Sequence, residues 1–356
     1  MQLHLVRCLS KLSVTAGLAV TLVSSAAWAQ RYQQTNLVAD TSGPAAHTDT
    51  NLVNAWGIAR GSGGPWWIAN NGTGTSTIYD GSGVASSLIV TTQSDPSGTI
   101  FNGTGDFGGA HFLFASEDGT ISAWKSGTQA TVVVTTPNAV YKGLAIASIS
   151  GTNYLYVADF RNNRIDVFDT NFQPVSLTMN GYGDYGSRFF QAEHPHGFAP
   201  FNIQNVAGML VVTYAKQDAQ QHDDVPGPGL GYVAAFTPSG RLIRHFQPGP
   251  WLNSPWGIVL APGDFGSFSH DLLIGQFGSG QIAAYNIFTG AFDGLLQDAT
   301  GTTIAIDGLW GLAFGDGKTS GAANALYFTA GPAGESHGLF GNLTPISSDL
   351  TLGTGR

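Results

Sequence analysis

The sequence predicts an all-β fold, a six-bladed β-propeller with four-stranded antiparallel blades. The first observation is a repeated unit of two apolar strands joined by a short polar turn, whose most regular copy reads NYLYVADFRNNRIDVFD at residues 153–169. A unit that recurs every ~40–60 residues is typical of arrays and propellers. The second is the composition: glycine occurs 49 times and charged residues make up 10% of the chain, which suits packed strands and tight turns. No stretch shows the periodicity of an amphipathic helix.

Six copies of this unit align along the chain. Each begins with a strand that carries a glycine, and these glycines are Gly57, Gly98, Gly143, Gly197, Gly257 and Gly311. A buried second strand and an alternating third strand follow in every copy. A fourth, outer strand is predicted in five copies, at residues 84–91, 130–135, 174–179, 241–246 and 291–297.

The sixth copy ends before its fourth strand, whereas the segment NLVAD at residues 36–40 belongs to no copy. We therefore predict that this N-terminal segment forms the outer strand of the last blade and closes the ring by hydrogen bonds, which removes an exposed sheet edge. A loose N-terminal tail is the alternative.

Residues 1–29 are predicted to be a secretory signal peptide. Arg7 and Lys11 precede an apolar run at residues 12–27, and Ala-Trp-Ala ends at Ala29. A transmembrane anchor is the alternative, but the run is shorter than the ~20 apolar residues of a membrane span. Residues 30–345 then form one propeller domain and residues 346–356 a C-terminal tail. We expect export to the periplasm or the extracellular space, and Cys8, the only cysteine, leaves with the leader.

The charge balance bears on partners. The formal net charge is −9, and loss of the two basic leader residues makes the remaining chain more acidic. An acidic surface argues against nucleic acid and anionic membrane as partners. We expect a monomer that binds a small molecule, a glycan or a protein.

The most regular copy resembles an NHL repeat, the blade unit of a group of six-bladed propellers. The whole chain after the leader is similar to a family of secreted bacterial conserved-hypothetical proteins with NHL-like propellers. The segments that carry this resemblance are NLVNAWGIA at 51–59, NNGTGTST at 70–77, APFNI at 199–203, YAKQD at 214–218, HDDV at 222–225, DGLWG at 307–311 and ESHG at 335–338. The resemblance implies the fold and export, and it implies no reaction. Some relatives carry a C-terminal hydrophobic sorting helix, which this sequence lacks, so we expect a released protein.

Polar and aromatic residues at the exits of the middle strands and at the entries of the inner strands are expected to gather around the propeller axis, a usual setting for a small-molecule pocket. The ligand-binding candidates are Asn54, Trp56, Asn70, Asp159, His196, Lys216, Trp256, Gln276, Asp307, Trp310, Glu335 and His337. A structural role is the alternative for each, because Asn and Asp after a strand often close turns and tryptophans can separate neighbouring blades.

The least regular segment is an insertion in the fourth copy, KQDAQQHDDVPGPG at residues 216–229. Long loops in compact domains are often functional. Asp218, His222, Asp223 and Asp224 offer ligands for a divalent cation such as Ca2+ or Zn2+, although their spacing matches no EF-hand loop or HExxH motif. A solvated polar lid is the alternative. Glu335 and His337 face this loop if they lie on the same side of the ring.

His194 and His196 form a second candidate metal pair, whose geometry Pro195 distorts. No catalytic residue follows from any motif. Two hypotheses therefore remain: a secreted binding or scaffold module that uses one face and the central channel, or a metal-dependent enzyme, a lyase or a lactonase or other hydrolase, with its site in the channel.

Overall fold

The computed structural model describes residues 31–179, 182–184 and 195–346. Six antiparallel sheets, one for each repeat, follow one another along the chain. The inner strand of each sheet contacts the inner strand of the next sheet, and the sixth contacts the first, so the sheets close into a ring. The predicted six-bladed propeller is therefore confirmed. Among the described residues, no helix is long and apolar enough to cross a membrane.

The blades share one strand order, from the axis outward. The six inner strands are Ala55–Arg60, Pro96–Phe101, Tyr141–Ile149, Phe198–Val206, Pro255–Leu260 and Leu309–Phe314. The second strands are Trp66–Asn70, Phe112–Ser116, Thr152–Asp159, Met209–Lys216, Leu272–Gln276 and Leu326–Ala330. The third strands are Thr75–Tyr79, Thr120–Trp124, Arg164–Phe168, Gly231–Phe236, Ile282–Tyr285 and Leu339–Pro345.

The outer strands are shorter and less regular. Four of them follow the third strand of their own blade, and these are Val90–Thr91, Thr131–Thr135, Leu242–His245 and Phe292–Leu295. The remaining elements are the short strands His47–Thr48, Thr178–Met179, Tyr182–Asp184 and Gln297–Asp298 and the 3-10 turns Asn71–Thr73, Phe107–Gly109 and Gly266–Phe268.

The N-terminal strand completes the sixth blade, as the sequence predicts. Arg31–Ala39 pairs antiparallel with Leu339–Pro345 and is longer than the predicted segment. Tyr32 and Val38 of this strand are fully buried, and the Tyr32 ring stacks on Phe265 at a centroid distance of 4.6 Å. The two ends of the described chain are thus held together by both hydrogen bonds and apolar contacts.

The third blade departs from the prediction of an outer strand at residues 174–179. Among the described residues, the third strand Arg164–Phe168 has no fourth strand beside it. Pro174 forms only an isolated bridge to it, and Thr178–Met179 pairs instead with Tyr182–Asp184 in a separate two-stranded sheet. The physical reason is that proline has no N–H to donate to a strand ladder.

Every inner strand carries a β-bulge at the same place. In the first blade, Ala55 pairs with Asn70 and Ile58 pairs with Ile68. The inner strand therefore advances by three residues where the second strand advances by two. The same irregularity lies between Pro96 and Thr99, Tyr141 and Leu144, Pro200 and Asn202, Pro255 and Ile258, and Leu309 and Leu312. A bulge re-aims side chains, and here it sets the residues that meet at the axis.

The glycines of the repeat serve this close packing at the axis. A Cβ atom added to Gly57 would lie 2.6 Å from the backbone O of Ser97 and the backbone N of Thr99 in the next blade. In the fourth blade, Asn202 holds the position equivalent to Gly57. The alignment of the six repeats predicts Gly197 at this position, but Gly197 precedes the inner strand.

Candidate functional site

One residue of each bulge belongs to a layer of side chains around the axis. These six residues are Trp56, Ser97, Lys142, Phe201, Trp256 and Trp310. The aromatic members form a buried cluster in which the rings of Trp56 and Trp310 lie 3.9 Å apart. Phe277 stacks on Trp310 at 3.9 Å and is partly exposed. Lys142 is the single charged member of the layer.

Lys142 is 1% exposed and is held by both carboxylates and rings. Its Nζ atom donates a hydrogen bond to Oε1 of Glu117 and lies 3.4 Å from Oδ1 of Asp223. The same Nζ atom lies 5.0 Å from the ring centre of Trp56 and 5.8 Å from that of Phe160. These are the two kinds of partner that stabilise an ammonium away from water.

A chain of side-chain hydrogen bonds runs from Lys142 around the axis. Asn71 donates from Nδ2 to Oε2 of Glu117 at 2.9 Å, and Asn54 donates to Oδ1 of Asn71 at 3.1 Å and to Oε2 of Glu335 at 2.7 Å. Nε1 of Trp310 donates to Oδ1 of Asn54 at 3.0 Å, which joins this polar chain to the aromatic layer. We call the group formed by Asn54, Asn71, Glu117, Lys142, Asp223 and Glu335 the axial cup.

The loop at residues 216–229 contributes Asp223 to the axial cup. The loop folds back on itself, because Val225 donates its backbone N–H to the Lys216 carbonyl at 2.8 Å. The Asp218 carboxylate accepts the backbone N–H of His222 at 2.9 Å and that of Asp223 at 3.4 Å. The tight turn thus directs the next two acidic residues toward the axis.

Five carboxyl groups lie within electrostatic range of the Lys142 ammonium, and these belong to Asp95, Glu117, Asp223, Asp224 and Glu335. Burial lowers the pKa of Lys142, but Glu117 and Asp223 outweigh burial and raise it, so the amine is protonated. Burial raises the pKa of Asp223, but Lys142 and His222 outweigh it, so this pKa is lowered.

For Asp95, Asp224 and Glu335, burial outweighs the attraction of Lys142, so their pKa values are raised. Burial raises the pKa of Asp224 to about 6, although Ser254 and Lys142 oppose the shift. Burial raises the pKa of Glu335, and the negative charge of Glu117 adds to this shift. The hydrogen bond from Asn54 opposes it but is the weaker effect. The pKa of Asp95 is raised by burial and by Glu117. The single positive charge of Lys142 therefore does not compensate the negative charges of all the carboxyl groups around it.

Two buried donors of the aromatic layer, Nε1 of Trp56 and Nε1 of Trp256, have no hydrogen-bond partner among the described residues. Buried polar atoms are almost always paired in folded proteins, with water or a ligand where protein groups are lacking. Their grouping indicates a region whose hydrogen bonds are incomplete.

The channel beneath the axial cup is almost filled. Its remaining cavity measures about 10 Å3 between residues of the inner strands, among them Leu144, Ile258 and Leu312. A ligand therefore has no tunnel through the ring at this level.

Glu117, His222 and Asp223 each offer a metal-ligand atom, and these atoms lie within 4.8 Å of one another. Oxygens of Glu117 and Asp223 already contact the Lys142 ammonium. A divalent ion about 4 Å from that ammonium would be repelled by about 8 kcal/mol at an effective dielectric constant of about 20. A metal ion at these donors therefore requires the lysine to move away or to lose its proton.

The structure brings together about half of the sequence candidates. Those in or beside the axial cup are Asn54, Trp56, His222, Asp223, Asp224, Trp256, Trp310 and Glu335. Three others are fully buried and bonded inside their own blades, and these are Asn70, Asp159 and Gln276. Asp159, for example, pairs with Arg164 at 3.2 Å. These hydrogen bonds are of the kind that the turn-closing alternative expects, and ligand binding by these three residues stays a prediction.

The remaining candidates of the fourth blade lie beside the loop. Lys216 is exposed at the end of its strand. Asp218 holds the loop turn and is absent from the group of three metal-ligand atoms. His196 and Asp218 line a separate cleft of about 560 Å3. His194 lies outside the described residues, so the proposed pair with His196 stays a prediction.

In the sixth blade the structure separates Glu335 from His337. Glu335 lies in the axial cup, whereas Nδ1 of His337 lies 2.8 Å from Oδ2 of Asp40, beside the N-terminal strand. Asp307 accepts the backbone N–H of Ala333 at 2.8 Å and so shapes the same loop. Of these residues, only Glu335 faces the insertion of the fourth blade.

Sequence reasoning missed Lys142, the central residue of the axial cup. A signal was present: in the copies aligned by glycine, the residue before the glycine is tryptophan in three copies and lysine in one. A charged residue at a repeat position that holds an aromatic ring in other copies predicts a partner that stabilises the charge. Asp95 was also missed, because it precedes an inner strand in a region without any motif.

Comparison with known proteins gives relatives but no assigned activity. No family model matches the chain. Uncharacterized protein R648 of Acanthamoeba polyphaga mimivirus is 33% identical over 86% of this chain and 78% of its own length. Uncharacterized protein L690 of the same virus is 31% identical over 89% of this chain and 86% of its own length. These relatives are viral, so the bacterial origin that the resemblance implies stays an expectation.

Solved structures agree with the fold. A streptogramin B lyase superposes with a TM-score of 0.52 at 12% identity and covers 89% of this chain and 98% of its own. Virginiamycin B lyase from Staphylococcus aureus gives a TM-score of 0.50 at 13% identity, covering 89% of this chain and 100% of its own. At such identities the likeness extends to the propeller architecture and no further.

Proposed function

Starting from the fact that this chain belongs to the family of the mimivirus proteins R648 and L690, we propose that it is a ligand-binding module that holds a small polar ligand in the axial cup. The observation that carries the proposal is the convergence of five carboxyl groups on Lys142, whose ammonium also lies over the ring of Trp56, a buried tryptophan with an unpaired N–H. A protein that needed only to fold would place apolar side chains at this point, because buried charge is costly.

Two further observations support binding over a purely structural role. The polar chain through Asn54 and Asn71 holds the acidic groups in fixed positions, which lowers the cost of ordering them around a ligand. Phe277 adds a partly exposed ring stacked on Trp310, a flat apolar surface beside the polar groups. Convergent polar groups next to aromatic rings are typical of small-molecule sites.

A ligand screen with matched variants tests this proposal. Ligand-observed NMR and thermal shift would compare amines, amino acids, sugars and carboxylic acids with the full exported chain. We expect at least one class to bind, with the affinity reduced tenfold or more by Phe277→Ala. The control is Phe288→Ala in the same blade, because that ring is 77% exposed. Binding that both variants leave intact, or no binding by any class, would show the proposal to be wrong.

The second candidate function is a metal-dependent enzyme, and the observation in its favour is the Glu117–His222–Asp223 group. Lys142 would have to leave its carboxylates for a metal ion to bind there. Metal analysis of the purified protein and titration with Zn2+ and Ca2+ test this candidate. If no metal co-purifies and neither ion raises the melting temperature, the metalloenzyme hypothesis is wrong. If a metal binds, His222→Ala should abolish binding and His196→Ala should not.

We also propose that the protein is exported as a monomer after cleavage behind Ala29. The basic residues and apolar run of the first 29 residues motivate this proposal. N-terminal sequencing of protein recovered outside the cytoplasm should begin at Gln30, and size exclusion should give the mass of one chain. Recovery of the uncleaved chain from the cytoplasm alone would contradict export.

A further inference from the structure

We propose that residues 216–225 form a movable lid over the axial cup, and that the contact of Asp223 with Lys142 latches this lid in its closed position. The inference rests on the proposed binding function and adds how access to the same site is regulated. It follows from the internal bonding of the segment, from the places where its base is anchored and from the polar contacts that hold its tip.

The segment is a hairpin that holds its own shape. Gln217 forms an antiparallel bridge with Asp224, and the backbone N–H of Asp218 donates to the Asp223 carbonyl at 2.8 Å. The Asp218 carboxylate accepts the backbone N–H of His222 at 2.9 Å. Because these bonds lie within the segment, they stay intact when the hairpin moves as one body.

The base of the hairpin is anchored on both sides. The side-chain amide of Gln217 donates to the Phe160 carbonyl of the third blade at 2.6 Å, and its backbone N–H donates to the Gly197 carbonyl at 2.9 Å. Just beyond the hairpin, the backbone N–H of Gly227 donates to Oδ1 of Asn253 in the fifth blade at 2.6 Å. Movement is therefore confined to the residues between these two anchors.

Polar contacts hold the tip of the hairpin, residues 218–224, against the rest of the propeller. Oδ1 of Asp223 lies 3.4 Å from Nζ of Lys142, and the Asp224 carboxyl has a hydrogen bond with Ser254 of the fifth blade. The tip has one apolar side chain, Ala219, which is exposed, and it contributes to none of the hydrophobic clusters of the described residues. Segments with few buried apolar contacts are the ones that open locally in folded proteins.

The closed hairpin keeps Lys142 away from solvent, because Lys142 is only 1% exposed. Of the four partners of its ammonium, Asp223 is the most exposed, with 66% of its side chain open to solvent. The other three, Glu117, Trp56 and Phe160, are largely buried. A ligand that approaches Lys142 from solvent therefore has to displace Asp223.

The latch can open without leaving a buried charge unpaired. Lys142 keeps the carboxylate of Glu117 when Asp223 moves away. An ion pair with one exposed partner contributes little to stability, since water competes for the carboxylate. Opening also returns to water the Asp224 carboxyl, whose charged form is disfavoured by burial.

Fluorine NMR of a label on the hairpin tip tests the movement. Gln221 is exposed at the tip, so a trifluoromethyl label on Gln221→Cys reports its surroundings; Cys8, the only cysteine of the sequence, would be replaced by serine. We expect a major closed state and a minor open state in exchange, detected as two signals or by relaxation dispersion. Asp223→Asn should raise the open population by a factor of about 3–5, as expected for a pair with one exposed partner. Asp293→Asn, an exposed carboxylate of the fifth blade, is the matched control and should leave the populations unchanged.

Acetylation of lysine side chains, read by mass spectrometry, tests whether the movement opens the cup. In the wild-type protein Lys142 should be acetylated at least about tenfold more slowly than the exposed Lys125, which serves as the internal reference. Ser254→Ala removes the second tip contact and leaves the Lys142–Asp223 pair in place, so the amine itself keeps its reactivity. This variant should therefore narrow the difference between the two lysines. Circular dichroism would show that all variants are folded.

The outcomes separate this inference from the proposed function. A single fluorine environment that neither Asp223→Asn nor Ser254→Ala changes would show that the hairpin is fixed, and the lid inference would be wrong even if ligands bind. Movement of the tip while Lys142 stays unlabelled in every variant also overturns it, because the hairpin would then not control access. If the hairpin opens, Lys142 becomes accessible and the ligand screen still finds nothing, the lid stands and the proposed binding function fails.

Discussion

The Nζ atom of Lys142 lies 3.4 Å from Oδ1 of Asp223, although the two residues are 81 positions apart. Lys142 belongs to the inner strand of the third blade, and Asp223 belongs to the loop inserted in the fourth. The contact therefore ties the loop to the propeller axis. It also places one protonated amine at the centre of an acidic site.

Loss of the Lys142 ammonium should destabilise the protein. Lys142→Met leaves Glu117 and Asp223 without their cation, and removal of one partner of a buried ion pair costs about 3–5 kcal/mol. Urea denaturation followed by tryptophan fluorescence should show this loss. Lys125→Met is the control, since Lys125 is exposed and a surface change of this kind costs less than about 0.5 kcal/mol.

A double variant separates the charge effect from loss of packing. If the penalty comes from unpaired carboxylates, Lys142→Met combined with Glu117→Gln should be more stable than Lys142→Met alone. A double variant no more stable than the single one would mean that the lysine acts mainly by filling space.

Protonation of Asp224 should make stability depend on pH. Its pKa in the folded protein is about 6 because of burial, above the ordinary value of 3.8. The neutral form is thus favoured by folding, and this stability is full below pH 3.8 and is lost as the pH rises through about 6. Relative to Asp224→Asn, the wild-type protein should lose about 1–2 kcal/mol between pH 4 and pH 7, after allowance for solvent screening. Denaturation curves across this range, with Asp293→Asn as control, measure the difference. Parallel curves would contradict the prediction.

Closure by the N-terminal strand should dominate global stability. Tyr32 is fully buried, stacks on Phe265 and donates its hydroxyl to the Phe265 carbonyl at 3.0 Å. Tyr32→Ala should cost about 3–5 kcal/mol, whereas Gln33→Ala, on the exposed side of the same strand, should cost less than about 0.5 kcal/mol. Deletion of residues 30–40 should lower the melting temperature sharply. A melting curve like that of the intact protein would refute closure.

The bulge glycines should tolerate no side chain. Gly57→Ala would place a Cβ atom 2.6 Å from backbone atoms of the next blade, and the resulting shift should cost about 1–3 kcal/mol. Gly105→Ala is the control, because no atom lies within 4 Å of its added Cβ. Thermal denaturation of both variants measures the contrast. Equal midpoints would mean that the inner strands are packed less tightly than the structure indicates.

The sequence was sufficient for the architecture because the signals are local. Strand periodicity and turn residues are read within one copy of about 50 residues, and the repeat period is read from one copy to the next. The absence of a fourth strand in the sixth copy was enough to assign residues 36–40 to that place, and in the structure the strand is Arg31–Ala39. The prediction of an outer strand in the third blade was wrong where Pro174 interrupts the ladder. The fourth repeat was misaligned because Asn202 replaces the expected glycine.

Whether a given polar residue faces the axis depends on the bulge and on contacts between blades, which no single repeat encodes. Asn70 ends its second strand and bonds Thr77 inside its own blade, whereas Asn71, the next residue, reaches Glu117 of the second blade, which in turn contacts Lys142 of the third. By itself, the sequence determined a closed ring of six blades and the departure of the fourth repeat from the pattern. Only the tertiary structure decided that Lys142, Asp223 and Glu335 meet, because their attraction acts through space at distances of a few ångströms and leaves no periodic trace along the chain.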